Sequence, residues 1–104
     1  MVLLKMVGVG YTMREVVEHN DGESAWLVID NKVYDVTDYL ASGAHPGGNE
    51  VLLKYAGSDA TKSFTDVHSN DAWNILDDYL IGTYVVPQTS YYDRAKQLFF
   101  RLFY

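Results

Sequence analysis

Cysteine is absent from the 104 residues of this chain. A chain without thiols has no disulfides, no zinc site built on thiolates, no iron–sulfur cluster held by cysteine and no cysteine nucleophile. Any metal ion or prosthetic group must therefore be held by other side chains. The absence says little about the compartment in which the protein works.

Basic residues are also scarce. The chain has 8 lysines and arginines against 14 aspartates and glutamates, which gives a net charge of −6 and a pI near 4.7. Proteins that bind nucleic acids carry basic patches, so this composition argues against a nucleic-acid partner. It favours a basic protein partner reached by electrostatic steering, although plain solubility would explain the same charge.

Long apolar runs are missing too. No stretch reaches the ~20 apolar residues of a membrane-spanning helix. The apolar N-terminus, residues 1–10, is short and is interrupted by Lys5. It lacks the pattern of a signal peptide and predicts an edge strand or a loose arm.

The residues that are present suffice for one domain with one core. Hydrophobic residues make up 48% and aromatic residues 14% of the chain, which is typical of a packed globular protein. Thr12 and Glu15 form a capping pattern for a helix over residues 13–19. Runs of β-forming residues predict a hairpin of strands 25–29 and 32–36. Further helices are predicted at 49–55, 59–67 and 71–79, with Ser58 or Asp59 and Asn70 or Asp71 as caps, and a last strand at 81–86.

The tetrapeptide His45-Pro46-Gly47-Gly48 stands between helical segments. Proline holds the residue before it in an extended conformation, and glycines let a large ligand approach the backbone. A histidine on so stiff a turn suits a metal ligand. The alternative is a surface turn with an incidental histidine.

A second histidine strengthens the first interpretation. His68 follows 23 positions later, at the end of a segment that is largely apolar. Two helical hairpins, each with a histidine, could therefore face one another across an apolar slot.

Three separated motifs resemble the cytochrome b5 family. They are VYDVTDYL at residues 33–40, the HPGG tetrapeptide, and AGSDATKSFTDVHS at residues 56–69. Their order and spacing match the family over residues 11–86. The resemblance implies an α+β fold, in which a small mixed β-sheet supports helical hairpins that form a haem pocket.

The same resemblance implies the cofactor and its ligands. The cofactor would be haem b, held without covalent bonds because the chain has no cysteine for attachment. His45 and His68 would be the axial ligands, each expected to donate its other N–H to a backbone carbonyl. Ser69 would donate to a propionate, and Pro46 and Gly47 would belong to the binding turn. The apolar walls would come from Tyr39, Val51, Leu52, Phe64, Val67 and Ile75.

Two other residues are expected to lie outside the set that binds the haem. His19 is expected to be solvent-exposed at the end of the first helix. Trp26 is expected to belong to the core behind the pocket.

Two departures from the common family pattern lie beside the predicted ligands. The link before His45, residues 41–44, is about two residues longer, and a glycine that many members carry before the second histidine is missing. The acidic residues around the haem edge are also fewer. These differences put the pocket shape and the usual docking partner in question.

The resemblance implies an electron carrier rather than an enzyme. The chain would take single electrons from a reductase and pass them to an oxidase, desaturase or hydroxylase, as a soluble cytoplasmic monomer or as a haem module of a larger oxidoreductase. A haem- or sterol-type ligand-binding or scaffold module without electron transfer is the alternative. A zinc site on His45, His68 and carboxylates ranks last, because zinc normally takes four ligands at short range and the apolar slot would then have no occupant.

Residues 87–104 form a separate tail. Ala95, Leu98, Phe99, Leu102 and Phe103 recur at helical spacing, which predicts an amphipathic helix. It could dock on the domain, or residues 90–104 could touch a membrane or partner surface peripherally. The sequence thus divides into an arm or edge strand at 1–10, the haem-binding domain at 11–86 and this tail.

Overall fold

This computed structural model describes residues 8–86, which contain six strands and five short helices. The strands are β1 (Gly10–Tyr11), β2 (Asn20–Asp21), β3 (Ser24–Ile29), β4 (Lys32–Asp35), β5 (Ser58–Asp59) and β6 (Leu80–Tyr84). The helices are α1 (Met13–Val16), α2 (Thr37–Ser42), α3 (Asn49–Tyr55), α4 (Thr61–Val67) and α5 (Asn70–Asp77). The predicted tail and most of the predicted arm lie outside the described residues, so the division of the chain stays a prediction.

The predicted hairpin of β3 and β4 is confirmed and lies at the centre of the sheet. Asp30 and Asn31 connect the two strands with φ angles of 52° and 61°. A two-residue hairpin loop of this kind needs positive φ at both positions, which Asp and Asn tolerate better than most residues. Ile29 then pairs directly with Lys32, and the register follows along both strands.

The sheet is mixed, as the α+β prediction requires. Its order is β1-β6-β4-β3-β2, with β5 added beside β3. The β1–β6 and β3–β5 pairs are parallel, while the β2–β3, β3–β4 and β4–β6 pairs are antiparallel. Gly10 of β1 lies at the edge of the sheet, consistent with the predicted edge strand.

Side-chain alternation along β3 gives the sheet two different faces. Ala25, Leu27 and Ile29 join the larger core, which continues into α2, α5 and β6 through Leu40, Leu76 and Leu80. On the opposite face, Val28 joins a smaller cluster with Val16 and Val33. The larger core supports the helices that precede and follow the two predicted ligands.

The helix boundaries agree with the predictions at α3 and differ elsewhere. Helix α1 is capped by Thr12 as predicted, with the Glu15 N–H donating to its hydroxyl at 3.4 Å, but it ends at Val16 instead of residue 19. Helix α4 begins at Thr61 because Ser58 and Asp59 pair with β3 as a short strand. Helix α5 has Ser69 at its N-cap position instead of Asn70 or Asp71, and β6 ends at Tyr84.

The two departures beside the predicted ligands are absorbed locally. Ala41 and Ser42 extend helix α2, which ends at Gly43 with a left-handed φ of 67°. His68 follows helix α4 directly as its C-cap residue, so no glycine is needed there.

Among the helices of residues 8–86, none combines the length and the apolar character that crossing a bilayer requires.

Candidate functional site

A cavity of about 350 Å³ lies between the sheet and helices α2 to α5. Its floor is the apolar face of the central hairpin, and its walls are the inner faces of the helices. Most of the lining side chains are apolar or aromatic, and two are histidines. The lining residues are Leu27, Ile29, Val36, Tyr39, His45, Val51, Leu52, Tyr55, Ala60, Ser63, Phe64, Asp66, Val67, His68, Ala72, Ile75, Leu76 and Tyr79.

His45 is held by the turn that follows it. The Gly48 N–H donates to the His45 carbonyl at 2.9 Å, and Nδ1 of His45 donates to the Gly48 carbonyl at 3.0 Å. A Cβ atom at Gly47 would lie 2.9 Å from Cε1 of His45, so the absence of a side chain at Gly47 makes room for the ring. At Gly48 the φ of 88° explains the second glycine.

His68 is held from the last turn of helix α4. Its backbone N–H donates to the Phe64 carbonyl at 3.0 Å, and its Nδ1 donates to the same carbonyl at 3.1 Å. The Phe64 ring stacks on the imidazole with 4.2 Å between ring centres and 6° between planes. Position and plane of the imidazole are therefore both restrained.

The two imidazoles are matched in chemistry. A carbonyl oxygen only accepts hydrogen bonds, so each Nδ1 must carry a proton, and in the neutral ring the lone pair is then on Nε2. The expected backbone partners of the two rings are thus the carbonyls of Gly48 and Phe64. Neutral imidazoles in this tautomer are metal ligands through Nε2.

The spacing of the two rings fits a metal ion between them. Their centres are 6.0 Å apart and their planes differ by 30°. With metal–imidazole bonds of about 2.0–2.1 Å and about 1.1 Å from nitrogen to ring centre, two rings in line across one ion have centres about 6.3 Å apart. The described residues hold no group of three or more His, Asp or Glu side chains arranged for a metal ion, whereas a zinc site takes four ligands.

The cavity mouth is apolar and exposed. Val51, Val67 and Ile75 line the cavity with side chains that are 45%, 77% and 49% exposed. Large apolar side chains that face water around a cavity indicate a surface covered by a ligand or partner. A flat apolar group between the two imidazoles, such as a porphyrin, fits this arrangement.

Eight predicted site residues meet in the cavity, and three do not. Tyr39, Val51, Leu52, Phe64, Val67 and Ile75 line it together with both histidines. The structure does not place Pro46, Gly47 or Ser69 in the lining. Pro46 and Gly47 instead shape the exposed turn, and Ser69 is exposed at the N-cap of α5, where its hydroxyl makes no capping hydrogen bond.

The cavity wall contains a polar pair, Tyr55 and Ser63, that was not predicted from the sequence. Tyr55 ends helix α3, and its hydroxyl accepts a hydrogen bond from the Ser63 hydroxyl of helix α4 at 2.5 Å. The pair links the helix that follows His45 to the helix that precedes His68. Tyr55 lies four residues after Val51, and this helical spacing could have placed it on the cavity side.

Charge around the cavity is carried by exposed side chains. Asp66 lines the mouth and pairs with Lys62 at 2.8 Å, one helical turn earlier on α4.

Tyr34 is buried in the larger core. Burial first, and then the nearby Asp77 and Asp30, raise the pKa of Tyr34 to about 12. Tyr34 therefore stays neutral and structural at ordinary pH.

The third histidine differs from its prediction. His19 is half-buried, and its ring stacks on Trp26 with 3.6 Å between centres and 6° between planes. Its Nδ1 shares a hydrogen bond of 2.6 Å with the Ser24 hydroxyl. Trp26 packs with the small cluster on the opposite face of the sheet from the cavity, so neither residue belongs to the site.

Comparison with known proteins identifies the class of protein. Residues 12–85 match the family model described as a cytochrome b5-like heme/steroid binding domain. The chain belongs to the cytochrome b5 family. This membership implies haem b as the cofactor.

Particular relatives are similar over most of this chain. Cytochrome b5 of Drosophila melanogaster is 50% identical over 76 residues, which cover 72% of this chain and 55% of the relative. Cytochrome b5 type B of Mus musculus is 52% identical over 73 residues, or 69% and 49% of the two chains. The chain thus spans about half the length of these two relatives. For cytochrome b5 of Nicotiana tabacum the identity is 43% over 98 residues, with 83% and 71% covered.

Solved structures agree with the fold. Ectothiorhodospira vacuolata cytochrome b558, a prokaryotic homologue of cytochrome b5, gives a TM-score of 0.65 at 34% identity and covers 72% of this chain and 96% of its own. The cytochrome b5 of Ostreococcus tauri virus 2 gives 0.65 at 30% identity, with 72% and 95% covered. The predicted family and fold are confirmed.

Proposed function

We propose that this chain is a one-electron carrier in which His45 and His68 are the two axial ligands of a haem b iron. The observation that carries the proposal is the pairing of the two imidazoles, with centres 6.0 Å apart and each Nδ1 bonded to a backbone carbonyl. Both rings reach the cavity from opposite helical hairpins. The family membership of the chain supports the same cofactor.

The chemistry follows from what these side chains do. Haem iron supplies a reversible exchange of one electron between its ferric and ferrous states. If His45 and His68 both held the iron, they would leave no position on it for oxygen or substrate, which would favour electron transfer over catalysis. Fixed tautomers and restrained ring planes keep the ligands in the same place in both oxidation states. The apolar walls limit the access of water to the site and so influence its potential.

The rim of the cavity supports contact with a redox partner. Val51, Val67 and Ile75 are exposed there, and Glu50, Asp66 and Asp71 are exposed in the same three helices. These exposed carboxylates and the net charge of −6 suit a basic partner face. We infer a reductase as donor and an oxidase, desaturase or hydroxylase as acceptor. Reduction by such a partner should slow as ionic strength rises.

Absorption spectroscopy tests the ligation directly. The haem-loaded protein is recorded oxidised and reduced, before and after the addition of carbon monoxide. Two histidine ligands predict low-spin spectra in both states and no change with carbon monoxide. A high-spin or carbon monoxide-sensitive spectrum would contradict the proposal, and a chain that takes up no haem would favour a scaffold or other ligand-binding module.

Alanine variants assign the two ligands. His45→Ala and His68→Ala should each open one axial position, so that carbon monoxide binds the reduced iron. His19→Ala is the matched control, because His19 lies on the opposite face of the sheet against Trp26. If His19→Ala opened the iron as well, or if either cavity variant stayed closed, the assignment would be wrong.

A further inference from the structure

Three aromatic rings form a continuous row from the cavity into helix α5. The His68 imidazole stacks on Phe64 with planes 6° apart, and Phe64 packs against Trp73 at 4.7 Å with planes 77° apart. The row therefore joins one proposed iron ligand, one wall residue and one residue of the next helix. Stacked and edge-to-face arrangements of this kind are the geometries that aromatic pairs prefer.

Hydrogen bonds alone leave the plane of His68 incompletely fixed. The Phe64 carbonyl accepts from both the backbone N–H and Nδ1 of His68, which fixes one edge of the ring. Rotation about that edge is limited by the stacked face of Phe64. The Phe64 ring can itself turn about its last side-chain bond, unless a neighbour stops it.

Trp73 is that neighbour. It is half-buried and packs against the larger core, but its side chain is not part of the cavity lining, whereas the preceding residue, Ala72, is. Trp73 thus contacts the cavity wall through Phe64. The row of rings gives it a path through Phe64 to His68.

We propose that Trp73 is a positioning residue that sets the plane of the His68 imidazole by fixing the Phe64 ring. The proposal rests on the proposed function, in which His68 is an iron ligand. The two imidazole planes differ by 30° in this structure. Each plane selects the iron d orbital with which its ring overlaps, so the angle between the planes determines how far two of these orbitals are split.

That splitting is visible in the electron paramagnetic resonance spectrum of the ferric protein. Trp73→Leu removes the edge that holds Phe64, and the plane of His68 should spread over a range of angles. The low-field g value should shift and its line should broaden relative to wild type, and the midpoint potential should shift with it. Trp73→Phe keeps an aromatic edge and should restore the wild-type line.

Two further sets of variants separate this role from simple stability. Trp26→Leu removes the stacking partner of His19 on the other face of the sheet, so it should lower the thermal midpoint without moving the g value. In a Phe64→Leu background, Trp73→Leu should move the g value no further, because Phe64 transmits the effect. Trp73→Met, an unbranched and more adaptable non-aromatic side chain, replaces Trp73→Leu in these tests if the leucine variant does not fold.

The outcomes distinguish the two proposals. A low-spin wild-type signal that moves in the leucine or methionine variant and returns in Trp73→Phe supports the positioning role. The same wild-type signal left unchanged in the non-aromatic variants overturns that role and leaves the proposed function intact. A wild-type protein without a low-spin ferric signal overturns the proposed function.

Discussion

Alanine at Gly47 should disturb the proposed ligand His45 directly. The new Cβ would lie 2.9 Å from Cε1 and 3.4 Å from Nδ1 of the imidazole, where an ordinary contact begins at 3.4 Å. The ring must therefore move by about 0.5 Å, against the hydrogen bond of 3.0 Å between Nδ1 and the Gly48 carbonyl. Disturbing the partner that orients a ligating histidine typically costs about 10–100-fold in affinity for the group it holds.

Gly48 offers a matched control one residue later. A Cβ there would meet nothing within 4 Å, but the backbone φ is 88°. Gly48→Ala should therefore cost about 1–3 kcal/mol of folding stability through backbone strain. The Gly48 carbonyl that accepts from His45 Nδ1 is kept in this variant, so the ring should stay in place when the turn keeps its conformation. For a domain of this size each kcal/mol corresponds to about 4–8 °C in the thermal midpoint.

Haem transfer to an excess of apomyoglobin, followed at the Soret band, separates the two effects. Gly47→Ala should lose haem about 10–100-fold faster than wild type. Gly48→Ala should melt at a lower temperature and keep a rate of haem loss close to wild type. Equal rates for wild type and Gly47→Ala would refute the reasoning, and so would faster loss from Gly48→Ala than from Gly47→Ala.

Four other perturbations have expected outcomes that can be measured. Tyr55→Phe removes the hydrogen bond with Ser63 and should lower the free energy of unfolding, measured by urea denaturation, by about 0.5–1.5 kcal/mol. A free energy of unfolding equal to that of wild type would contradict this expectation. Val67→Ser should change the stability of the haem-free protein by no more than about 0.5 kcal/mol, because Val67 is 77% exposed. The same variant should bind haem more weakly in a titration. An unchanged affinity would contradict the idea that bound haem covers Val67. Haem should raise the thermal midpoint by mass action, and equal midpoints with and without haem would count against binding to the folded state. The pKa of Tyr34, raised from 10.0 to about 12, should make stability fall as pH rises through that window, because the unfolded chain loses this proton first; Tyr34→Phe should show a smaller loss in urea titrations over the same range.

Local sequence signals predict the parts of the fold that depend on neighbours along the chain. The hairpin follows from two β-forming runs around Asp30 and Asn31, and helix α3 follows from its own spacing and composition. The error at Ser58 and Asp59 has a different origin. Asp59 behaves as a local cap would, since it accepts from the Thr61 N–H at 2.9 Å, but the same two residues also pair with β3. The pairing depends on a strand about 30 positions earlier, which local capping rules do not include.

The same distinction explains what the sequence revealed of the site. His45 and His68 are predicted by side-chain chemistry and by their motifs, and the apolar walls by the resemblance to the cytochrome b5 family. Their hydrogen-bond acceptors are backbone carbonyls, which every residue carries, so sequence alone does not single out Gly48 and Phe64. The pair of Tyr55 and Ser63 likewise depends on how two helices meet.

Glycine therefore has different meanings at the two positions of one motif. Gly47 is required by the space that the His45 ring occupies, and Gly48 by the left-handed backbone that brings its carbonyl to Nδ1. Both requirements act on the same imidazole, one through its carbon edge and one through its nitrogen. Because the two constraints differ in kind, substitutions at the two positions should separate ligand placement from backbone strain, which no single variant of His45 itself can do.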